Sequence, residues 1–380
     1  VKRIIILRSN PVAPDPRVEK VADWLHHDGW TVTVFAWDRG GNAAAVETRA
    51  FGTIHRVCLR APFGAGLRNV PRKLGWNLRL LCALFRRARE YTFLHACDFD
   101  TLLPALLLKV VLGKRVVYDV FDFFADGLPP DSRTGRLLRK LDLWSMGLAD
   151  AVIIADDSRR DQIRGARPKR LEVVYNTPRP PGTAPATERA VTPPGGLRLA
   201  FIGVLYRNRG LLEMLSVLRH HPEWSLDLAG FGGDEELIVE AAAALPNVRF
   251  HGAVPYDRTL QLSAEADALF ALYDPTVPNH RYSSPNKLFE SMMLGKPIIV
   301  ANGTGMDRVV REHRLGYTVE YGDEGQLEAA LSRVAGWDVP RRQSFAEHAR
   351  SVYERHFSAS EMERRVCTLY ASLLTEGRPG

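Results

Sequence analysis

Between Asn176 and Gly196 the chain reads NTPRPPGTAPATERAVTPPGG, six prolines and three glycines in 21 residues, with no apolar periodicity. Proline locks φ and removes a backbone donor, so neither a helix nor a central strand can run through such a segment. The break divides a chain of 380 residues into two parts, each of a size suited to one domain. On both sides of it, short apolar runs alternate with amphipathic segments. Before the break, Arg3–Arg8 (RIIILR), Thr31–Trp37 (TVTVFAW), Phe93–His95, Arg115–Asp119, Ala151–Ala155 and Glu172–Tyr175 read as strands. Val18–His27 has helical spacing and is closed by Gly29. After it, LRLAFIG, WSLDLAG, NVRFHG, DALFALY, KPIIVAN and LGYTVEY read as six more strands, followed by a long amphipathic stretch, Phe345–Leu374.

Strands alternating with helices imply parallel pairing and layered α/β sheets. The expected fold is therefore two Rossmann-like, doubly wound α/β domains facing across a cleft. The boundaries read as 1–176, a linker at 177–196, a second domain at 197–355, and a C-terminal helix at 356–380 that crosses back to the first domain. Ligands of open α/β sheets bind beyond the C-terminal ends of the strands, which directs the search to the loops there.

Composition narrows the classes. Hydrophobic residues at 46% and charged residues at 25% are those of an ordinary globular protein. The longest apolar runs, Leu102–Leu112 and Ala266–Leu272, are shorter than the ~20 residues needed to cross a bilayer. VKRIIILRSN at the start reads as a first strand rather than a signal peptide. The four cysteines form no CxxC pair, so neither a zinc site nor a disulfide framework is expected. These features suggest a cytoplasmic protein. The net charge of +7 is uneven: residues 1–190 hold 31 Lys and Arg against 20 Asp and Glu, and residues 191–380 hold 20 against 24. A basic first half fits an anionic partner, such as a membrane surface or a phosphorylated substrate, and no nucleic-acid motif accompanies it. Two stretches, 67–91 and 133–144, interleave Arg and Lys with Leu and Trp, as an interfacial helix would. A buried helix with a solvated basic face would read the same way.

The segment Tyr282–Val300, YSSPNKLFESMMLGKPIIV, is the most informative for chemistry. Ser283 or Ser284 can cap a helix that Pro285 opens, and Gly295 closes it. The first amides of such a helix, near Asn286 and Lys287, suit a phosphate, and Lys287 adds a full charge. Glu290, one turn on, can accept two ribose hydroxyl hydrogens. An ordinary capped helix with a solvated Glu290 is the plain alternative. In FIGVLYRNRGL, a strand ending at Gly203 feeds a loop with Arg207 and Arg209, whose guanidiniums can clamp a diphosphate. LAGFGGDEE has glycines at 230 and 232, but its acid triplet Asp234–Glu236 repels phosphate, so a tight turn and helix cap fit better.

PNKLFESMMLGKPII resembles the donor-site helix of GT-B glycosyltransferases, particularly the large retaining group called family 4, whose pattern runs roughly P-x-K-x-x-E-x-M-x-x-G-x-P-V-I. The resemblance implies a sugar transfer, with retained configuration, from a nucleotide-diphosphate sugar (UDP or GDP favoured) to an acceptor hydroxyl, lipid-linked or soluble. It requires no cofactor and no metal. It implies that Glu290 holds the ribose and that the backbone of Pro285, Asn286 and Leu288 lies at the diphosphate, with Ser283 and Ser284 beside it. Arg207, Arg209 and Lys287 would stabilise the leaving group, with Gly203, Gly230 and Gly232 around the donor and Val254, from HGAVPY, near the base. The family's usual glutamate eight positions before Glu290 is Tyr282 here. HACDFDTLLPALLL resembles its H-A-H-D stretch and offers Asp98 as an acceptor-side residue or a helix cap. VVYDVFDFFADG has Phe121 where relatives place a histidine, leaving Asp119 and Asp122 as acid/base or sugar-binding candidates. In SNPVAPDPRVEK, three prolines stand where relatives have a glycine pair; Asp15 reads as a helix cap, or with Arg17 as a phosphate or acceptor contact. An epimerase or phosphorylase on the same fold, or a non-catalytic nucleotide-sugar-binding subunit, are the alternatives.

Overall fold

The computed structural model describes residues 2–62, 69–127, 132–178 and 195–375. Most of the proline-rich segment, residues 179–194, and the start of the first basic stretch therefore lie outside the described residues. Two compact units result: Val1–Tyr175 with Met362–Gly380, and Asn176–Glu361.

The first unit contains β1 (Arg3–Arg8), β2 (Thr31–Asp38), β3 (Val46–Arg49), β4 (Gly52–Cys58), β5 (Phe93–Cys97), β6 (Arg115–Val120), β7 (Ala151–Ile154) and β8 (Leu171–Val173). They form one sheet in the order β3-β4-β2-β1-β5-β6-β7-β8, parallel except for the β3–β4 pair. The central strands are apolar without alternation, Ile4–Leu7 being buried throughout, because helices cover both faces. On one face Trp37 and Trp76 stack 5.7 Å apart within the core. On this unit the helix Ala359–Thr375 sets the Tyr370 hydroxyl 2.7 Å from His95 Nδ1 and its ring against Trp30. The C-terminal amphipathic stretch is not continuous: helix Val339–Val352, a π-helical turn at Tyr353–Phe357, then Ala359–Thr375.

In the second unit, β9 (Leu197–Val204), β10 (Trp224–Phe231), β11 (Val248–Phe250), β12 (Ala268–Ala271), β13 (Ile298–Ala301) and β14 (Gly316–Val319) make an all-parallel sheet. Its order is β11-β10-β9-β12-β13-β14. Both sheets thus change winding direction once, between β1 and β5 and between β9 and β12. At such a switch point the connections leave in opposite directions and open a crevice at the strand C-termini. The doubly wound pair matches the expected fold class. The β3–β4 pair was not expected: VETR and GTIHRVC carry charge and sit half-exposed at a sheet edge, so their apolar signal is weak. Among the described residues no helix is long and apolar enough to cross a membrane.

Candidate functional site

The second unit's switch point holds a cleft of about 360 Å³. Gly203, Arg209, Pro285, Asn286, Lys287 and Glu290 all line it. Gly203 is the penultimate residue of β9, Arg209 sits in the short 3-10 turn beyond, Pro285, Asn286 and Lys287 open the helix Asn286–Leu294, and Glu290 follows one turn on. The Lys287 ammonium donates to Ile202 O at 2.6 Å and lies 3.7 Å from the Phe201 ring centroid. A Cβ at Gly203 would stand 3.0 Å from Lys287 Nζ, so the glycine makes room for that charge. Burial brings the lysine pKa down to about 7, opposed by Glu290 and assisted by Arg209. The Arg209 guanidinium stacks 3.8 Å from the Tyr273 ring centroid, and its Nη1 is buried without a hydrogen-bond partner among the described residues.

Pro285 occupies the N-cap position of this helix. Neither serine caps it: Ser283 Oγ donates to Asn279 O at 2.9 Å, while Ser284 Oγ and Asn286 Oδ1 are buried with no partner among the described residues. The Leu288 amide already donates to Pro285 O, and its side chain is in the core. The amides of Asn286 and Lys287, first in the helix, have no carbonyl one turn back to bond. Glu290 is buried and faces Tyr256, whose phenol pKa is pushed well up by burial and then by that carboxylate. An unpartnered guanidinium nitrogen, a buried ammonium and two helix amides at one opening make an anion site, with a carboxylate one turn further in.

Several expected residues stand elsewhere. Arg207 is two-thirds exposed and committed to Asp234, which takes its Nε and Nη2 at 3.2 and 3.1 Å and its amide at 3.0 Å. Asp234 therefore sits at the N-cap position of its helix without bonding a helix amide. Gly230 and Gly232 serve strand packing: added Cβ atoms would fall 1.8 Å from Gly203 O and 2.3 Å from Leu205 O. Val254 and Tyr282 are half-buried and do not line the cleft. Two lining aromatics, Tyr256 and Tyr273, escaped sequence reasoning although each ends a quoted motif, HGAVPY and DALFALY. Nothing in either motif shows which ring will lie beneath an arginine or beside a glutamate.

The first unit's switch point gathers a second polar cluster. Arg8 closes β1 and bonds Asp15 at 2.8 Å and also Asp98. Asp15 caps the helix Pro16–His27, accepting from Val18 N at 3.3 Å. Asp98 precedes its helix but does not cap it; the carboxylate accepts the amides of Phe121 and Asp122 at 3.1 and 3.2 Å. Burial raises the Asp98 pKa to about 6 against the pull of Arg8. Arg17 and Asp119 do not face solvent: a two-point ion pair at 2.7 and 3.2 Å joins them, with Arg17 also held by Val174 O. Burial works against the Asp119 charge, but Arg17 and His95 outweigh it and hold the carboxyl below its usual range. Both are buried, with three of the Arg17 N–H groups and both Asp119 oxygens engaged inside the unit. Asp122 is exposed, 3.6 Å from the buried Arg159. Phe121 lies against two guanidiniums, Arg8 at 4.2 Å and Arg17 at 5.0 Å from its ring centroid.

Two doubly wound units, the second with an anion site at its switch point, define the architecture of GT-B glycosyltransferases. Sucrose-phosphate synthase from Thermosynechococcus elongatus superposes with a TM-score of 0.76 at 17% identity, over 99% of this chain and 100% of that one. Anabaena Alr3699/HepE, solved in complex with UDP and glucose, gives 0.69 at 17% identity over 98% and 100%. Family models described as "Glycosyl transferase 4-like domain" and "Glycosyl transferases group 1" match residues 13–177 and 196–336. The chain belongs to the group 1, family 4 glycosyltransferases. Among curated proteins it is 23% identical over 239 residues to a phosphatidyl-myo-inositol mannosyltransferase of Mycobacterium leprae, 62% of each chain. It is 26% identical over 193 residues to the putative glycosyltransferase YtcC of Bacillus subtilis, 47% of this chain and 46% of that one. It thus matches less than two thirds of the length of these curated relatives.

Proposed function

We propose that this protein transfers a hexose from a nucleotide-diphosphate sugar to an acceptor hydroxyl with retention of configuration. The bond from the anomeric carbon to the β-phosphate oxygen breaks, a bond to the acceptor oxygen forms, and the acceptor's hydroxyl proton passes to the departing diphosphate. Negative charge then grows on the departing diphosphate. The convergence of Arg209, Lys287 and the amides of Asn286 and Lys287 on one cleft carries this reading. Charges held in place before the reaction stabilise that build-up without reorganising. Glu290 is assigned to the ribose, and Tyr256 lies beside it in a position to flank the base.

A resident cofactor has no assigned task here, because protein cations meet the diphosphate; transfer is expected to persist with a chelator. A UDP-sugar is favoured by the UDP-bound HepE structure, and GDP remains the second donor to try. On the acceptor side, Asp98 and Asp122 are the assigned carboxylates, with Asp15 positioning Arg8. A lipid-linked hydroxyl acceptor is supported by the name of the mannosyltransferase relative, and the site of action would be the cytoplasm or the cytoplasmic membrane face.

The test is thermal stabilisation of the purified chain by UDP, GDP, ADP and dTDP, with Glu290→Ala as control. A ligand that binds only the folded state adds RT ln(1 + [L]/Kd), about 2.7 kcal/mol at a hundredfold excess over Kd. One nucleotide should stabilise the wild type and lose most of its effect on the variant. No stabilisation by any of the four, in protein free of co-purified nucleotide, overturns the assignment.

A further inference from the structure

Arg207 and Arg209 stand two positions apart and are supported in different ways. A carboxylate, Asp234, holds Arg207 and in doing so spends its charge. Arg209 rests instead on an aromatic face, its guanidinium carbon 3.8 Å from the Tyr273 ring centroid, and its Nη1 is buried without a hydrogen-bond partner among the described residues. A ring attracts a cation through its quadrupole, which orients the guanidinium without neutralising it. An anion site needs both properties, a fixed donor and an uncancelled charge. Lys287 has the same kind of support, 3.7 Å from the Phe201 ring centroid.

The backbone fixes which side chain lies over which. The turn Arg207–Arg209 runs along the segment just past β12: the Asp274 amide donates to Asn208 O at 3.1 Å, and a Cβ at Gly210 would fall 2.4 Å from Leu272 Cβ. Contacts at 208 with 274 and at 210 with 272 bring the residues between them, Arg209 and Tyr273, together. His280 packs against the same ring, the two centroids 5.3 Å apart at 49°. It is buried at the end of the turn Pro278–His280, and its Nδ1 donates to Asp274 O at 3.0 Å. Burial and then Arg209 hold the imidazole pKa below its ordinary value against the pull of Asp274, so near pH 7 this ring is mostly neutral and does not repel Arg209. Burial likewise keeps the Tyr273 phenol protonated. We infer that Tyr273 is a positioning residue, a platform that holds the Arg209 guanidinium at the cleft with its charge free for the diphosphate of the donor. The role rests on the donor reading proposed above.

A double-mutant cycle followed by titration calorimetry tests this role on the full chain. UDP, GDP, ADP and dTDP are titrated into the wild type, and the one that binds is then titrated into the variants. Tyr273→Leu should weaken binding about tenfold, between the effects of exposed and desolvated cation–π contacts. Tyr273→Phe keeps the ring face and should stay within about twofold of the wild type. On an Arg209→Ala background, Tyr273→Leu should change the dissociation constant by less than about twofold, because the group it positions is gone. Melting temperatures report whether each variant is folded, and Tyr273→Met takes the place of the leucine variant if that chain does not fold. An equal loss in both backgrounds would mean that the ring touches the ligand directly. That result, a phenylalanine variant as weak as the leucine one, or wild-type affinity in Tyr273→Leu would each overturn the inference and leave the donor site standing. Binding of none of the four nucleotides to the wild type would overturn the donor reading, and this role with it.

Discussion

If the cleft takes a nucleotide diphosphate as proposed, Lys287 should link its binding to pH. Its ammonium is buried, and burial brings its pKa from the ordinary 10.5 to about 7. Above pH 7 the free protein therefore holds an increasingly neutral amine in the cleft. A diphosphate supplies the compensating charge that burial removed, so the complex should hold the ammonium form and binding should take up a proton. Affinity then falls by up to tenfold per pH unit above about pH 7, or roughly 1.4 kcal/mol between about pH 8 and pH 9. The second ionisation of a phosphate monoester, near pH 6, is complete in that window and does not contribute. Titration calorimetry in two buffers of different ionisation heat measures both quantities. We expect uptake of about one proton per nucleotide at about pH 8. Lys287→Met should bind more weakly and with little pH dependence over the same range. A dissociation constant that does not change, or proton uptake that survives in the variant, would refute the reasoning. Stability carries the matching sign. The folded pKa lies below the unfolded value, so the unfolded chain holds more protons between about pH 7 and pH 10, and this lysine's contribution to stability rises with pH across that window.

Gly203→Ala should weaken nucleotide binding at a modest cost in melting temperature, because its Cβ would stand 3.0 Å from the Lys287 ammonium and otherwise make only ordinary contact with Phe201, whereas Gly230→Ala, at φ +142 and 1.8 Å from a carbonyl oxygen, should cost about 3 kcal/mol or more in urea denaturation. Arg209→Ala should lower kcat about a hundredfold with the donor found by thermal shift. Arg207→Ala should stay within about twofold, since its charge is spent on Asp234 at the surface. Asp119→Asn should destabilise the chain by roughly 3–5 kcal/mol, because it strands the buried Arg17. The folded pKa of Asp119 is depressed, so its contribution is present above the unfolded value near pH 4 and is lost as pH falls through the folded value. The variant should lack that acid limb in a pH series of melting temperatures.

Much of the polar cluster lining the second unit's cleft was legible because it is local. Pro285, Asn286, Lys287 and Glu290 share one helix start, so spacing alone brings them to one opening, and Gly203 and Arg209 follow a single strand end. Assignments failed where a side chain's partner lies far away in sequence. Arg207 reads as a diphosphate clamp until Asp234, 27 positions on, is seen to hold it. Arg17 reads as a phosphate or acceptor contact and Asp119 as an acid/base or sugar-binding carboxylate, although 102 positions apart they pair with each other in the interior. The two serines read as caps, yet the proline after them takes the cap position.

The alternation of strands and helices that makes two doubly wound sheets was determined by sequence alone, the β3–β4 pair apart. Apolar periodicity and proline placement act over a few residues and do not depend on what packs against them. Tertiary structure decided which charges remain available for chemistry. That availability depends on burial and on long-range partners, as with the guanidinium of Arg209 over Tyr273, the ammonium of Lys287 over Phe201 and the carboxylate of Asp98 among Arg8 and two amides. A charge's energy is set by its solvation and its neighbours, and both come into being only when the chain folds.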